Sequence, residues 1–184
     1  MLQELLPSPA LLIEQPGAVT ERTPTADAVI ARLPGAGIVH FTCHAASHPS
    51  DPSRSQILLH DHQENPFTVA SLAPVRLERG QLAFLSACET ALNAVAELSD
   101  ESIHLTSAFH LAGYPHVIGT LWPVYDRFAV TVASGFYTRL RNEPRPFAMD
   151  AAARALHHTV LDLRDRRRLA GRPSLWAAYT HTGA

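Results

Sequence analysis

The sequence lacks several features that would place it in a specialised class. It contains no lysine, only the two cysteines Cys43 and Cys88, and no long apolar run. Two cysteines are too few for a disulfide scaffold, and no apolar stretch approaches the roughly 20 residues of a membrane span. No signal peptide is recognisable, so we expect a cytoplasmic protein with free thiols. A formal net charge of −2 gives no indication of a nucleic-acid or membrane partner.

The chain does have enough apolar residues for one core and an alternation of strand and helix patterns. Hydrophobic residues make up 46% of its 184 residues, which suits a single domain. Apolar and β-branched runs predict strands, and apolar residues spaced three and four apart predict helices. The predicted strands are 38–43, 57–60, 81–86, 116–122 and 176–181. The predicted helices are 25–33, 68–72, 100–113, 126–140 and 147–164.

This alternation predicts an α/β domain with a mostly parallel central sheet covered by helices. We expect residues 25–184 to form that domain and residues 1–24 to form an N-terminal segment with a short strand at 11–13. The stretch 45–55 is rich in Ser, Pro and Asp and predicts a loop. The run 81–86 is apolar on both faces, which indicates a strand in the middle of the sheet.

Two reactive side chains follow two of the predicted strands. His44 comes directly after strand 38–43, and Cys88 comes shortly after strand 81–86. If these strands are parallel neighbours, both residues lie at the edge where α/β proteins gather reacting groups. A thiol with a pKa of about 8.5 is mostly protonated at neutral pH, and a nearby imidazole can take its proton. From the residues alone, an inert core cysteine and a nucleophile both stay open.

Four motifs carry a resemblance to a known family. They are IVHFTCHA at 38–45, LAFLSACETA at 82–91, DESIHLTSAFHLAGYPHVIGTLWPVYD at 100–126 and LWAAYTHTG at 175–183. In this order they resemble CHAT domains, which are caspase-like domains often found after tetratricopeptide repeats. The resemblance implies a three-layer caspase-like fold and hydrolysis of a peptide bond without a metal or organic cofactor. It also implies that a sensor or repeat region gates the activity, as in bacterial signalling or defence proteins.

The resemblance also assigns candidate site residues. Cys88 corresponds to the nucleophile and His44 to the general base and acid, whereas His40 corresponds to a residue packed in or beside the sheet. The backbone N–H groups of Ala45 and Cys88 correspond to the oxyanion hole. The family typically has glycine where this chain has Ala45, a difference that costs about 1 kcal/mol if the position requires a positive φ. Further candidates, for substrate binding, are Arg54, Glu89, Trp122 and Asp126.

CHAT domains usually carry one more βαβ portion ahead of the matched region, and we expect this chain to lack it. A fragment, a shortened homologue and a partner that supplies strands all stay open as explanations. An uncovered edge of the sheet would favour self-association or docking. The expected partners are therefore a protein or peptide substrate, a regulatory repeat region and a second copy of the chain.

A zinc site is an alternative, because His40, Cys43, His44 and His48 lie close together in the sequence. A tetrahedral site needs four converging ligands. On an extended strand, however, Cys43 points to the opposite face from His40 and His44. We therefore expect no metal.

A serine nucleophile and a carboxylate pair have weaker support. Ser86 lacks the flanking glycines of a serine nucleophile elbow. Asp100 and Glu101 form a carboxylate pair, but acidic residues at the start of a helix are explained by the helix dipole. The serious alternative comes from a different class and is a caspase-like interaction module that keeps the fold and lacks turnover.

Overall fold

The computed structural model describes residues 2–7, 10–11, 22–46, 48, 50–86, 88–89, 101–166 and 169–183. Its elements in chain order are α1 (Leu2–Leu5), α2 (Ala26–Ile30), β1 (Ile38–Phe41), β2 (His44–Ala46), β3 (Gln56–Leu58), β4 (Phe67–Thr68), α3 (Val69–Leu72), β5 (Leu82–Leu85), β6 (Cys88–Glu89), α4 (Glu101–Ala112), β7 (His116–Thr120), α5 (Asp126–Arg141), α6 (Ala152–Asp165) and β8 (Tyr179–Gly183). None of the described helices is both long enough and apolar enough to cross a membrane.

The central sheet has the strand order β1-β5-β7-β8. Strands β1, β5 and β7 run parallel, and β8 is antiparallel to β7. Every residue of β5 is buried, which confirms the prediction of a strand in the middle of the sheet. The predicted mixed α/β fold with a mostly parallel sheet is therefore confirmed.

Helices cover both faces of this sheet, because alternate side chains of a strand point in opposite directions. Ala83 and Leu85 of β5 belong to a core shared with α2, α3 and α4. Leu82 and Phe84 belong to a second core, shared with α5 and α6. The result is a three-layer arrangement in which β5 contributes to both cores.

A second, smaller sheet corrects the start of the predicted loop 45–55, because β2 includes Ala45 and Ala46, whereas the described residues from 48 to 55 contain no strand. Its strand order is β4-β3-β2-β6, and β2 pairs antiparallel with β3 and parallel with β6. The predicted strand 38–43 is β1, which ends two residues earlier at Phe41, and the separate strand β2 begins at His44. Pairing with residues distant in sequence overrides the loop composition here. The predicted strand 57–60 corresponds to β3, which pairs antiparallel with β4 in a hairpin.

The sequence predicts some of the helix ends correctly and misses others. Gly113 ends α4 as expected and has a φ of 123°, a value that favours glycine. Asp126 is the first residue of α5, and not its N-cap, a position that Tyr125 takes without a side-chain hydrogen bond. The four-residue helix α1 was not predicted. The predicted strand at 11–13 lies mostly outside the described residues, and Asp100, the first residue of the predicted helix 100–113, lies wholly outside them.

Candidate active site

The small sheet brings the two candidate catalytic residues to paired positions. In the parallel pairing of β2 with β6, His44 is the partner of Cys88 and Ala45 is the partner of Glu89. Just before these positions, Phe41 of β1 pairs with Leu85 of β5. Two parallel strands of the central sheet thus each continue, after two residues, into a parallel strand of the small sheet. The side chains of Cys88 and Glu89 lie outside the described part of the structure.

His44 is exposed, whereas its neighbour Ala45 is buried. Among the described non-glycine residues, Phe147 alone has a positive φ. Ala45 therefore has an ordinary strand backbone that does not require glycine. The concern that alanine strains this position does not apply.

The other cysteine, Cys43, is a free thiol of a different character. It packs against the core formed with α2, α3 and α4. Burial raises the pKa of this thiol to about 12, so that almost none of it is ionised at neutral pH. Thiolates and not thiols act as nucleophiles, so Cys43 is unsuited to catalysis.

His40 packs against the sheet, as expected. Its ring stacks on Phe84 with 4.6 Å between the ring centroids, and its Nδ1 lies 3.0 Å from the hydroxyl oxygen of Tyr137. Its Nε2 is buried and has no hydrogen-bond partner among the described residues. Burial lowers the pKa of His40 from 6.5 to about 4. His40 is therefore neutral at physiological pH.

This burial predicts an acid-sensitive fold. Unfolded His40 takes up a proton below its ordinary pKa of 6.5, whereas folded His40 does so only near 4. Over that interval the unfolded state binds more protons, so the free energy of unfolding falls as the pH falls, by up to about 3 kcal/mol from this group. In urea titrations, the variant His40→Gln is expected to show a clearly flatter pH dependence. The exposed-residue control His60→Gln should keep the wild-type slope, and an unchanged slope in His40→Gln would refute the assignment.

The residues proposed for zinc do not converge. His40 and Cys43 pack against different cores on opposite faces of the sheet. His48 lies in the loop after β2, where its Nδ1 accepts a hydrogen bond from the backbone N–H of Asp51 at 3.2 Å. Within the described ranges, no three His, Cys, Asp or Glu residues are grouped so that they could hold a metal ion.

Arg54 ends a short 3-10 turn, Pro52–Arg54, in the loop that follows β2. Asp51 stabilises the start of this turn by accepting hydrogen bonds from the backbone N–H and hydroxyl of Ser53, at 3.1 and 2.6 Å. The buried Ser55 stabilises the other end of this loop, because its Oγ accepts a hydrogen bond from the backbone N–H of His48. Arg54 is therefore an exposed cation on an ordered turn.

Trp122 and Asp126 lie beyond the end of β7. The half-buried indole of Trp122 packs against the core formed with α5 and α6, and its Nε1 donates to the carbonyl of Ser174 at 2.9 Å. Asp126 is exposed in the first turn of α5. Between them, Tyr125 is 67% exposed, the one large aromatic residue so open among the described residues. Sequence reasoning missed Tyr125. Its position as an aromatic residue between a strand and a helix was the signal that could have identified it.

Ser86, which the sequence disfavours as a serine nucleophile, is a second residue to consider at the site. It lies between β5 and β6, and its backbone N–H donates to the carbonyl of Phe41 at 2.9 Å. Its Oγ is buried and has no hydrogen-bond partner among the described residues. A buried hydroxyl without a partner is costly, and its position two residues before Cys88 makes it a candidate site residue.

The fold and the paired positions define a class: a layered α/β domain of caspase-like architecture with a cysteine and a histidine on adjacent strands. The family model of the CHAT domain matches residues 1–184, and the chain belongs to that family of caspase-like cysteine peptidase domains. A comparison with curated proteins finds no match.

Proposed function

We propose that this domain is a cysteine peptidase in which Cys88 attacks a peptide bond with the help of His44. The observation that carries the proposal is the parallel pairing of His44 with Cys88. Paired positions on neighbouring strands lie on one face of a sheet, within the reach of a histidine side chain. The exposure of His44 and membership of the CHAT family add support.

The reaction uses one histidine twice. His44 takes the proton of the Cys88 thiol, and the thiolate attacks the carbonyl carbon of the scissile bond. The oxyanion accepts hydrogen bonds from the backbone N–H groups of Ala45 and Cys88. As the C–N bond breaks, His44 gives its proton to the departing amine and leaves a thioester on Cys88. A water molecule, deprotonated by His44, then hydrolyses the thioester and regenerates the thiol.

The substrate in this proposal is a protein or peptide that lies along the site. Arg54, Glu89, Trp122 and Asp126 are the residues proposed to contact it. We also propose a bacterial setting, which rests on the resemblance to CHAT domains, and a cytoplasmic one, which the free thiol of Cys43 supports. A tetratricopeptide-repeat region is the proposed regulator, and pairing through an open sheet edge is the proposed route to self-association.

Cleavage of a denatured protein mixture, followed by mass spectrometry of the new N-termini, tests the proposal. The wild-type chain is expected to create termini at recurring sequences. Cys88→Ser and His44→Ala should each lose about 1,000-fold or more in rate. Cys43→Ser, the matched control, should keep the wild-type rate. If Cys88→Ser cleaves as fast as wild type, the proposal is wrong.

The interaction module without turnover is the alternative that this experiment decides. Strain at Ala45 in the oxyanion hole would favour this alternative, and the ordinary backbone of Ala45 removes that support. Accordingly, Ala45→Gly should not raise the cleavage rate. It should instead lower the free energy of unfolding by about 0.5–1 kcal/mol, because glycine in a strand loses more backbone entropy on folding. A several-fold gain in rate would show that alanine impairs the site.

Ser86 provides a further prediction with an internal control. Ser134 of α5 also has a buried hydroxyl with no hydrogen-bond partner among the described residues. Ser134→Ala is expected to leave the cleavage rate unchanged and to stabilise the fold slightly, since the hydroxyl is buried without a bond. Ser86→Ala should lower the cleavage rate about tenfold while stability changes as little. Equal rates for the two variants would assign Ser86 a purely structural role.

A further inference from the structure

Two histidines join the last two strands of the central sheet. His116 opens β7, and His181 lies on β8, which runs antiparallel beside it. The Nδ1 of His116 is 3.1 Å from the Nε2 of His181, with 5.3 Å between the ring centroids. His116 is buried and His181 half-buried, so the pair lies inside the seam between the strands.

A hydrogen bond between two imidazole nitrogens forms only in certain protonation states of the pair. One nitrogen must donate an N–H and the other must accept it with its lone pair. Two neutral rings satisfy this requirement, and so does a pair that carries one extra proton. A pair with two extra protons has no acceptor, and it places two positive charges side by side in a partly buried seam. Double protonation therefore opposes the contact.

The surroundings of the pair favour the neutral state. Burial lowers the pKa of His116, and His110 of α4 lowers it further, whereas Asp150 before α6 raises it. Burial and the neighbouring His116 lower the pKa of His181. Asp150 is largely exposed and forms an ion pair with Arg145 at 2.9 Å, so solvent screens its effect on the histidines.

Strand β8 is an edge strand, joined to β7 by five register pairs and packed through Tyr179 against the core formed with α5 and α6. It pairs with β7 on one side, and no other described strand pairs with it. At its other end it supports the segment after β7, because Ala178 accepts a hydrogen bond from the backbone N–H of Leu121 at 2.8 Å. In the turn before β8, Ser174 accepts the bond from Trp122. A change that loosens β8 is therefore expected to loosen the segment that carries Trp122, a candidate substrate-binding residue.

We propose that the His116–His181 pair is a proton-operated latch that fastens the edge strand β8 and, through it, the segment that carries Trp122. Above about pH 7 the latch is closed. As the pH falls below the ordinary histidine pKa of about 6.5, protonation of both rings breaks the contact, and β8 separates from β7. The consequence for substrate rests on the proposed function, whereas the movement of β8 does not.

Hydrogen exchange with mass spectrometry tests the latch without any substrate. The protection factors of the β8 amides, corrected for intrinsic exchange, are expected to fall at least about tenfold between pH 8 and pH 5, more than those of β5. In His181→Gln, which keeps a donor and does not titrate, β8 protection should fall no more than that of β5, whose loss reports the acid sensitivity due to His40. His157→Gln, from the exposed His157–His158 contact on α6, is the matched control and should behave as wild type.

The experiment uses the Cys88→Ser chain, so its outcome is independent of peptidase activity. Protection of β8 that is equal at both pH values in the chain with both histidines would overturn the latch. So would an acid-dependent loss in β8 that exceeds the loss in β5 and persists in His181→Gln, because the titrating group would then lie elsewhere. A loss confined to chains with both histidines supports the latch even if no substrate is ever cleaved.

Discussion

Iodoacetamide at about pH 7 is expected to alkylate Cys88 and to spare Cys43. The Cys43 thiol has a pKa of about 12, so its thiolate is vanishingly rare at neutral pH. Even an unperturbed thiol, with a pKa of about 8.5, would be ionised to a few per cent. Selectivity for Cys88 therefore follows from the burial of Cys43 alone, and the diagnostic quantity is the pH dependence of the Cys88 rate.

If His44 serves Cys88 as proposed, the midpoint of that pH dependence lies clearly below about 8.5 in the native protein. Replacing His44 by alanine should move the midpoint up to about 8.5 or higher and slow alkylation at pH 7 about tenfold or more. His60→Ala, which removes an exposed histidine from the loop after β3, should leave the midpoint unchanged. An identical midpoint in wild type and His44→Ala would mean that the histidine does not act on this thiol.

The second large effect is expected at Gly183, near the end of β8. Its φ of 139° is one that residues with a side chain rarely adopt, and an added Cβ would lie 2.0 Å from the carbonyl oxygen of Pro115. Because that neighbour is backbone, the clash cannot be relieved by a side-chain movement. We expect Gly183→Ala to lower the free energy of unfolding by about 3 kcal/mol, which corresponds to a fall in Tm of about 6–12 °C.

Thermal and urea denaturation measure this loss. Gly171→Ala is the matched control, since nothing lies within 4 Å of an added Cβ at that position. That variant should stay within about 0.5 kcal/mol of wild type. A Gly183→Ala protein as stable as Gly171→Ala would show that the end of β8 does not pack against Pro115 as described.

The layers of the fold follow from local patterns in the sequence. The run Leu82–Leu85 is apolar at every position, and only a strand covered on both faces buries all of them. The stop of α4 is equally local, because Gly113 supplies the positive φ that ends the helix. Such features depend on neighbours in sequence, and periodicity reveals them.

The small sheet depends on contacts that periodicity cannot reveal. Its strand β2 holds three residues, and it is stabilised by pairing with β3 and β6. Composition predicts a loop there, since pairing partners far along the chain leave no local pattern. The same reason hides α1, which packs against α5 and receives a hydrogen bond from Arg141 at the carbonyl of Glu4.

Local sequence patterns predict that some histidines lie near particular residues, whereas long-range pairing hides other such neighbours. Parallel strands ending side by side were enough to predict that His44 and Cys88 lie near one another in the folded chain, but not that they are register partners. The contact between His116 and His181 joins residues 65 positions apart and leaves no motif in the sequence. Long-range pairs of this kind are visible only once the strands have been placed.

A crystal structure of the protein with a peptide-like inhibitor bound covalently at the site tests the central claim most directly. The quantity to measure is the distance from the nearer ring nitrogen of His44 to the sulfur of Cys88. Direct proton transfer requires about 4 Å or less, and the account predicts such a distance. A separation beyond about 7 Å, or an inhibitor attached to another residue, would contradict the assignment of Cys88 and His44 as a catalytic pair.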